Sequence, residues 1–163
     1  MSYLAGILFT GIGATAVVDL WGIARKPLLG APPPDYGLVG RWFAHMRHGR
    51  FRHDAIAKAA PVRGERLLGW TAHYLTGIAF AAVLIGFQGQ AWLVHPTLAP
   101  AILVGIGTVL APYLIMQPGM GAGIAASRTP RPCTARIQTL LTHAFFGVGL
   151  YVAGWGFHFL RTP

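Results

Sequence analysis

The chain has 163 residues, of which 54% are hydrophobic and 10% are charged, and its 13 Lys and Arg outnumber its 4 Asp and Glu. Soluble domains carry about 25% charged residues, so this composition excludes an ordinary soluble domain, and the many aromatic residues exclude a disordered chain. The single cysteine, Cys133, excludes a disulfide scaffold and any redox mechanism that needs an internal cysteine pair.

Four apolar windows are long enough to cross a membrane, which takes about 20 residues of helix. They fall at 3–24, 67–87, 98–117 and 137–159. No Lys or Arg precedes the first window, and it is longer than the apolar part of a cleavable signal, so we expect it to remain in the mature protein. The sequence therefore predicts an all-α integral membrane protein with four transmembrane helices in a single domain, residues 1–163.

The basic residues are distributed unevenly between the predicted loops. Nine lie in the long 25–66 loop and three lie at 128–136, whereas the 88–97 loop has none. Basic loops stay on the cytoplasmic side of a membrane, so we predict that both termini lie outside. This topology accounts for the net charge of +9, and it makes anionic lipid headgroups, rather than nucleic acid, the expected partner of the basic loop.

The 25–66 loop also contains a helical pattern. After the proline-rich turn at 31–35, Leu38, Trp42, Phe43 and Met46 have the spacing of an amphipathic helix. Such a helix lies in the plane of the membrane interface. Trp42 and Phe43 then either anchor it in the headgroup layer or pack on the ends of the spans.

Spans two and four share an internal repeat at an offset of 70 residues. The matched pairs are Arg66 with Arg136, His73 with His143, and Gly77 with Gly147. A weaker match joins Gly11-Ile12-Gly13 to Gly105-Ile106-Gly107 in spans one and three. Because both matches run in the same direction, the pattern predicts two parallel two-helix repeats.

Four polar side chains fall at similar depths in the predicted spans. At 1.5 Å per residue, Asp19, His73 and His143 lie on the order of 10 Å from the cytoplasmic ends, and Gln117 is shallower. Small residues four positions away turn both histidines towards the interior of the bundle. Because ionisable groups inside a membrane are costly, we interpret this layer as a candidate functional site.

Three interpretations of the polar layer stay open. Asp19 accepts hydrogen bonds from the histidines and clamps the bundle, or Asp19, His73 and His143 hold a divalent metal ion, or the layer is a proton or substrate pathway. Metal binding is the leading hypothesis, with iron as the ion and redox or hydroxylation chemistry on a membrane-soluble substrate as the activity.

The metal hypothesis has two forms. In the first, the ion keeps open coordination positions, and Gln117 or His45 is a further ligand or a hydrogen-bond partner of one. In the second, which leaves Asp19 without a role, the two span histidines ligate haem b. The propionates of that haem would then meet Arg66 and Arg136.

The loop motif of His45, His48, His53 and Asp54 is a second candidate. These histidines either coordinate an ion or belong to a solvated basic surface.

Two other classes of function compete with metal chemistry. One is a small proton- or cation-coupled transporter or channel subunit, working as a homo-oligomer because four spans make a narrow bundle. The other is a non-catalytic accessory subunit of a larger membrane complex.

Several short motifs, taken together, resemble a family of small bacterial inner-membrane proteins known only as a domain of unknown function. They are Gly13-x5-Asp19, Gly40-Arg41-Trp42, His45-x3-Gly49-x-Phe51-x-His53, Gly64-Glu65-x2-Leu68-Gly69-Trp70-x2-His73-Tyr74 and Met116-Gln117-Pro118-Gly119-x-Gly121. The resemblance implies a multi-span protein of the bacterial inner membrane. It supports the choice of Asp19, His45, His53, His73 and Gln117 as site residues, and it implies no activity, cofactor or substrate.

Overall fold

The computed structural model describes residues 2–161, and within that part of the chain every regular element is helical. The α-helices are α1 (Tyr3–Leu29), α2 (Tyr36–Met46), α3 (Glu65–Gln88), α4 (Gln90–Val94), α5 (Leu98–Gly107), α6 (Gln117–Met120) and α7 (Pro132–Arg161). A π-helical turn, Pro112–Met116, precedes α6, and short 3-10 turns lie at Ile56–Lys58 and Ile124–Ala126.

Within residues 2–161, four helical segments are long and apolar enough to cross a membrane. They are Tyr3–Leu29, Glu65–Gln88, Leu98–Met120 and Pro132–Arg161. Each contains one of the four predicted windows. The all-helical class and the number of candidate spans are therefore confirmed.

Capping residues make two of these helices longer than the hydropathy pattern predicts. The α1 helix starts where Ser2 accepts a hydrogen bond from the Ala5 N–H, and it passes the predicted end at 24 to stop at Gly30, whose φ is +63°. The α7 helix starts five residues before 137, at Pro132, because proline has the φ of a first helical residue and needs no donor there.

The third span is a broken helix, whereas the sequence predicts an uninterrupted one. The α5 helix ends at Gly107, and the chain continues through the π-helical turn before α6 begins. Pro112 has no N–H for the carbonyl four residues earlier, so the α-helical ladder cannot pass through it.

The chain divides into two compact units, which are described separately. The first unit comprises Met1–Pro33, Tyr74–Thr108 and Leu140–Pro163, and the second comprises Pro34–His73 and Val109–Thr139. The core of the first unit is built around Leu84, Ile85, Leu93, Leu150 and Phe157, none of which is more than 1% exposed.

Glycines let the helices of the first unit approach backbone to backbone. A Cβ added at Gly11 of α1 would stand 2.5 Å from the Ile78 Cα of α3, and one added at Gly105 of α5 would stand 2.5 Å from the Gly147 Cα of α7. Gly77, the repeat counterpart of Gly147, also lies in the first crossing, against Thr15. The two crossings thus use matched positions of the predicted repeat, although common descent of the two halves stays a prediction.

The second unit contains the predicted amphipathic helix, α2, at Tyr36–Met46. A Cβ at Gly40 would overlap the Glu65 carbonyl, so α2 touches the start of α3 along its backbone. Trp42 is 5% exposed and packs its ring on Gly119, whereas Phe43 is 38% exposed. Of the two predicted roles for Trp42, packing within the protein is the one that the structure has.

Replacing Gly105 with alanine should destabilise the protein, because the new methyl group would meet backbone that cannot move aside. We expect a loss of about 1–3 kcal/mol in the free energy of unfolding, typical of overpacking. The control is Gly107→Ala, two residues along the same helix, where no atom lies within 4 Å of the new Cβ. Thermal unfolding in mild detergent measures both, and equal stability of the two variants would contradict the crossing.

Candidate functional site

Asp19 of α1 is hydrogen-bonded by a phenol from α3. The Tyr74 hydroxyl donates to Asp19 Oδ2 at 2.8 Å. The bond lies near the crossing in which Gly77, three residues after Tyr74, meets Thr15 of α1. A hydroxyl donating to a carboxylate stabilises the charge, and such a pair can also pass a proton.

His143 of α7 lies against the last turn of α5. Its Nδ1 is 3.0 Å from Thr108 Oγ1 and 3.3 Å from the carbonyl oxygen of Gly105. Carbonyls in the last turn of a helix need partners outside the helix. The early end of α5, inside an apolar span, therefore explains why a histidine and a threonine meet at this carbonyl.

The hydrogen bonds around His143 fix which ring nitrogen carries the proton. Thr108 Oγ1 donates its single proton to the Gly105 carbonyl at 2.6 Å. It can therefore only accept from His143, so Nδ1 is the donor and Nε2 keeps its lone pair. The His143 ring is set to accept a proton or to ligate an ion through Nε2.

His73 lies near the start of α3, in the second unit, and stacks on Tyr36. The ring centroids are 4.1 Å apart, and the Tyr36 hydroxyl is 3.0 Å from His73 Nε2. A Cβ at Gly69 would overlap the Tyr36 carbonyl, so the glycine one turn before His73 allows Tyr36 to come this close.

An ion pair joins α2 to the start of α3. Arg41 makes two parallel bonds to Glu65, Nε to Oε2 at 2.9 Å and Nη2 to Oε1 at 2.8 Å. Its remaining Nη1 donates to the carbonyls of Ala59, Ala57 and Ile56 at 3.1–3.5 Å. The hydrogen bonds to Glu65 raise the pKa of Arg41 above its ordinary value. The guanidinium thus fixes the 56–59 turn against both helices.

His45 and His53 lie ring to ring in the second unit. Their centroids are 5.1 Å apart with an interplanar angle of 75°. His45 Nε2 is 3.1 Å from the Ala60 carbonyl, whereas His53 Nε2 is buried without a hydrogen-bond partner in the described structure. Burial, and then the electrostatic influence of the neighbouring His45 and Arg50, lower the pKa of His53.

Gln117 also belongs to the second unit, and only the nitrogen of its side-chain amide has a hydrogen-bond partner in the described structure. Its Nε2 donates to Thr139 Oγ1 at 3.3 Å, and the Thr139 hydroxyl donates onward to the Ala135 carbonyl at 2.9 Å. This direction assigns the nitrogen and oxygen of the amide. Gln117 Oε1 is buried and has no hydrogen-bond partner in the described structure.

The two arginines of the predicted repeat differ in their surroundings. Arg66 is exposed, and Arg136 Nε donates to the Ala125 carbonyl at 2.7 Å. Ala125 has a φ of +46°, which is unusual for a residue with a Cβ, so Arg136 supports a strained turn. A role for either arginine at haem propionates stays a prediction.

Each of the three predicted ligands has a hydroxyl partner, namely that of Tyr74, Tyr36 or Thr108. Within residues 2–161, no group of three or more His, Cys, Asp or Glu side chains is placed to hold a metal ion. The metal set of Asp19, His73 and His143 therefore stays a prediction.

Sequence reasoning assigned no role to those three hydroxyl residues. Tyr74 and Thr108 carried one usable signal, a hydroxyl within an apolar span. Tyr36 carried none, because it comes from the long loop.

The described part of the chain is a small all-helical protein with four helices whose length and composition suit a membrane. A family model described as "Protein of unknown function (DUF2938)" matches residues 8–156, and the chain belongs to that family. The predicted resemblance to a domain of unknown function is therefore confirmed. No curated protein and no solved structure matches the chain.

Proposed function

We propose that this protein is inserted in a membrane through its four long helices. The supporting observation is the apolar surface that these helices turn outward. Between 22% and 39% of each candidate window is buried inside the protein. Large apolar side chains are left uncovered on all four, including Leu20 at 66%, Phe87 at 84%, Leu103 at 72% and Phe159 at 67% exposure. A bilayer is the solvent that such a surface suits.

The distribution of the basic residues indicates how the protein is oriented in the proposed membrane. Ten of the 13 Lys and Arg belong to the segments of the second unit, Pro34–His73 and Val109–Thr139. By the positive-inside rule, these segments face the cytoplasm and both termini lie on the other side. We assign the protein to a bacterial inner membrane in accordance with the family resemblance.

Within that membrane, the pairing of Asp19 with Tyr74 favours a proton-linked activity, as in a small transporter or channel subunit. The observation that carries this proposal is the 2.8 Å bond between the carboxylate of α1 and the phenol of α3. An ionisable residue inside a span is costly and marks ion or proton pathways. Asp19 would take up and release the proton, and Tyr74 would stabilise the charged form of the carboxylate.

Metal binding is a second candidate, and the geometry of His143 favours it. A metal-ligating histidine donates its other ring N–H to a carbonyl or similar acceptor. His143 has this arrangement through Nδ1, with Gly105 and Thr108 as partners. With Asp19 and His73, it would supply the carboxylate and two imidazoles that suit iron, for redox or hydroxylation chemistry on a membrane-soluble substrate.

The native Cys133 tests the orientation. It is exposed at the start of α7, so a membrane-impermeant maleimide should label it in inverted vesicles and leave it unlabelled in intact spheroplasts. The matched variant is Cys133→Ser with Gln90→Cys, which moves the thiol to the exposed first residue of α4 and should reverse the pattern. The same labelling from both sides for both proteins would contradict the topology.

Proton flux tests the activity. We expect purified protein in liposomes to dissipate a pH gradient, read with an internal dye, and Asp19→Asn to slow it by at least about tenfold. Tyr74→Phe should slow it less, because the carboxylate remains. Asp35→Asn is the control, since Asp35 caps α2 outside the spans. Protein-containing liposomes no faster than empty ones, or full flux in Asp19→Asn, would overturn the proposal.

Elemental analysis and an absorption spectrum test the second candidate. Tag-free protein in mild detergent should contain iron in a fixed ratio that the His73→Ala/His143→Ala variant loses, and a Soret band would identify haem. Iron content that is equal in the folded variant and the wild type would refute this site.

A further inference from the structure

The His45 and His53 rings each have one nitrogen that can offer a lone pair to a ligand. His45 Nε2 faces the Ala60 carbonyl at 3.1 Å, and a carbonyl only accepts, so in the neutral ring Nε2 carries the proton and Nδ1 the lone pair. His53 Nε2 is buried and has no hydrogen-bond partner among residues 2–161, so this ring nitrogen is the one left for a ligand.

The backbone around His53 is held from two sides. The His53 N–H donates to the Gly119 carbonyl at 2.9 Å, and Trp42 Nε1 donates to the Phe51 carbonyl at 2.9 Å. Gly119 in turn packs on the Trp42 ring, so close that a Cβ there would stand 2.6 Å from it. The segment that carries His53 is therefore fixed against α2 and against the 117–121 stretch, which contains Gln117.

Three acceptor atoms of this unit are thus available to a ligand. They are His45 Nδ1, His53 Nε2 and Gln117 Oε1, and the last two are buried without partners in the described structure. A buried acceptor left empty costs about 1–3 kcal/mol. Atoms that only accept cannot satisfy one another, so the ligand that fits them is a cation or a hydrogen-bond donor.

We propose that His45 and His53 bind one divalent transition-metal ion in the second unit, with Gln117 Oε1, a buried acceptor of the same unit without a partner in the described structure, as the candidate for a third donor. Imidazole nitrogens suit zinc, nickel and copper. His45 donates its other ring N–H, on Nε2, to the Ala60 carbonyl, which is the usual arrangement behind a ligating histidine. Of the polar layer of the spans, this proposal uses Gln117 alone.

The ring separation agrees with a shared ion. An ion about 2.0 Å from each nitrogen and at a tetrahedral angle would place the two ring centroids about 5 Å apart, and the observed separation is 5.1 Å. No third His, Cys, Asp or Glu of residues 2–161 completes the set. The remaining positions are left for the amide and for water, so the ion would be held in an open site.

Binding of Ni²⁺ or Zn²⁺ to the full-length, tag-free protein in mild detergent tests the proposal. After removal of metal with a chelator, titration calorimetry should show one ion per chain. His45→Gln and His53→Gln should each weaken binding at least about tenfold. The control is His48→Gln, since His48 is exposed in the same stretch and contacts Arg47; this variant should bind like the wild type.

Gln117 provides a test with the opposite sign. Gln117→Glu adds a carboxylate oxygen and should tighten binding, whereas Gln117→Leu should weaken it. An unfolding temperature that rises with Zn²⁺ in the wild type and not in His45→Gln would support the site even if His53→Gln fails to fold.

Two results would overturn the proposal. One is a wild type that binds no ion, which would assign the empty acceptors to water. The other is equal affinity in His45→Gln and His48→Gln. The ion should also survive in His73→Ala/His143→Ala, so loss of this site and loss of the second candidate function can be told apart.

Discussion

The arrangement of this protein depends on glycines that let helices touch along their backbones. In the bilayer that we propose for this protein, lipid chains are as apolar as leucine, so no hydrophobic force draws helices together, and close van der Waals packing must do so. Gly11 and Gly77 provide one such approach, and Gly105 and Gly147 provide another. The polar contacts follow from these approaches. Tyr74 reaches Asp19 beside the first crossing, and His143 reaches the Gly105 carbonyl at the second.

Each of the two units has both paired and unpaired polar groups. In the first unit, Asp19 and His143 have hydroxyl partners, whereas Thr10 Oγ1 and Trp155 Nε1 are buried without a hydrogen-bond partner in the described structure. In the second unit, Arg41 makes bonds through Nε, Nη1 and Nη2, while His53 Nε2 and Gln117 Oε1 have no partner in the described structure. Buried groups without partners are few in native proteins. Two acceptors of this kind on segments joined by the His53 to Gly119 bond are therefore more informative than the satisfied groups.

Hydropathy and helical spacing were sufficient for the coarse fold, and they were insufficient for the site. The four spans follow from local composition, and α2 follows from the spacing of Leu38, Trp42 and Met46. The helix ends do not, because Gly30 and Pro132 set them through backbone geometry that hydropathy ignores. Side-chain partners depend on which residues meet at a crossing. Tyr36 comes from the loop to stack on His73, so depth along the spans could not identify it.

The break in the third candidate span gives His143 a structural role, capping the end of α5, besides a functional one. A helix that ends at Gly107 leaves terminal carbonyls inside an apolar segment, where an unpaired carbonyl is costly. His143 and Thr108 meet that need at Gly105, so capping alone is a sufficient reason for a histidine there. Discontinuous helices also form the ion and substrate sites of membrane transporters, so the same break favours a site. Loss of function on replacing His143 would therefore mix stability with chemistry. Asp19 does not bond the end of an interrupted helix, so its pair with Tyr74 is a clearer indicator of function than His143 is.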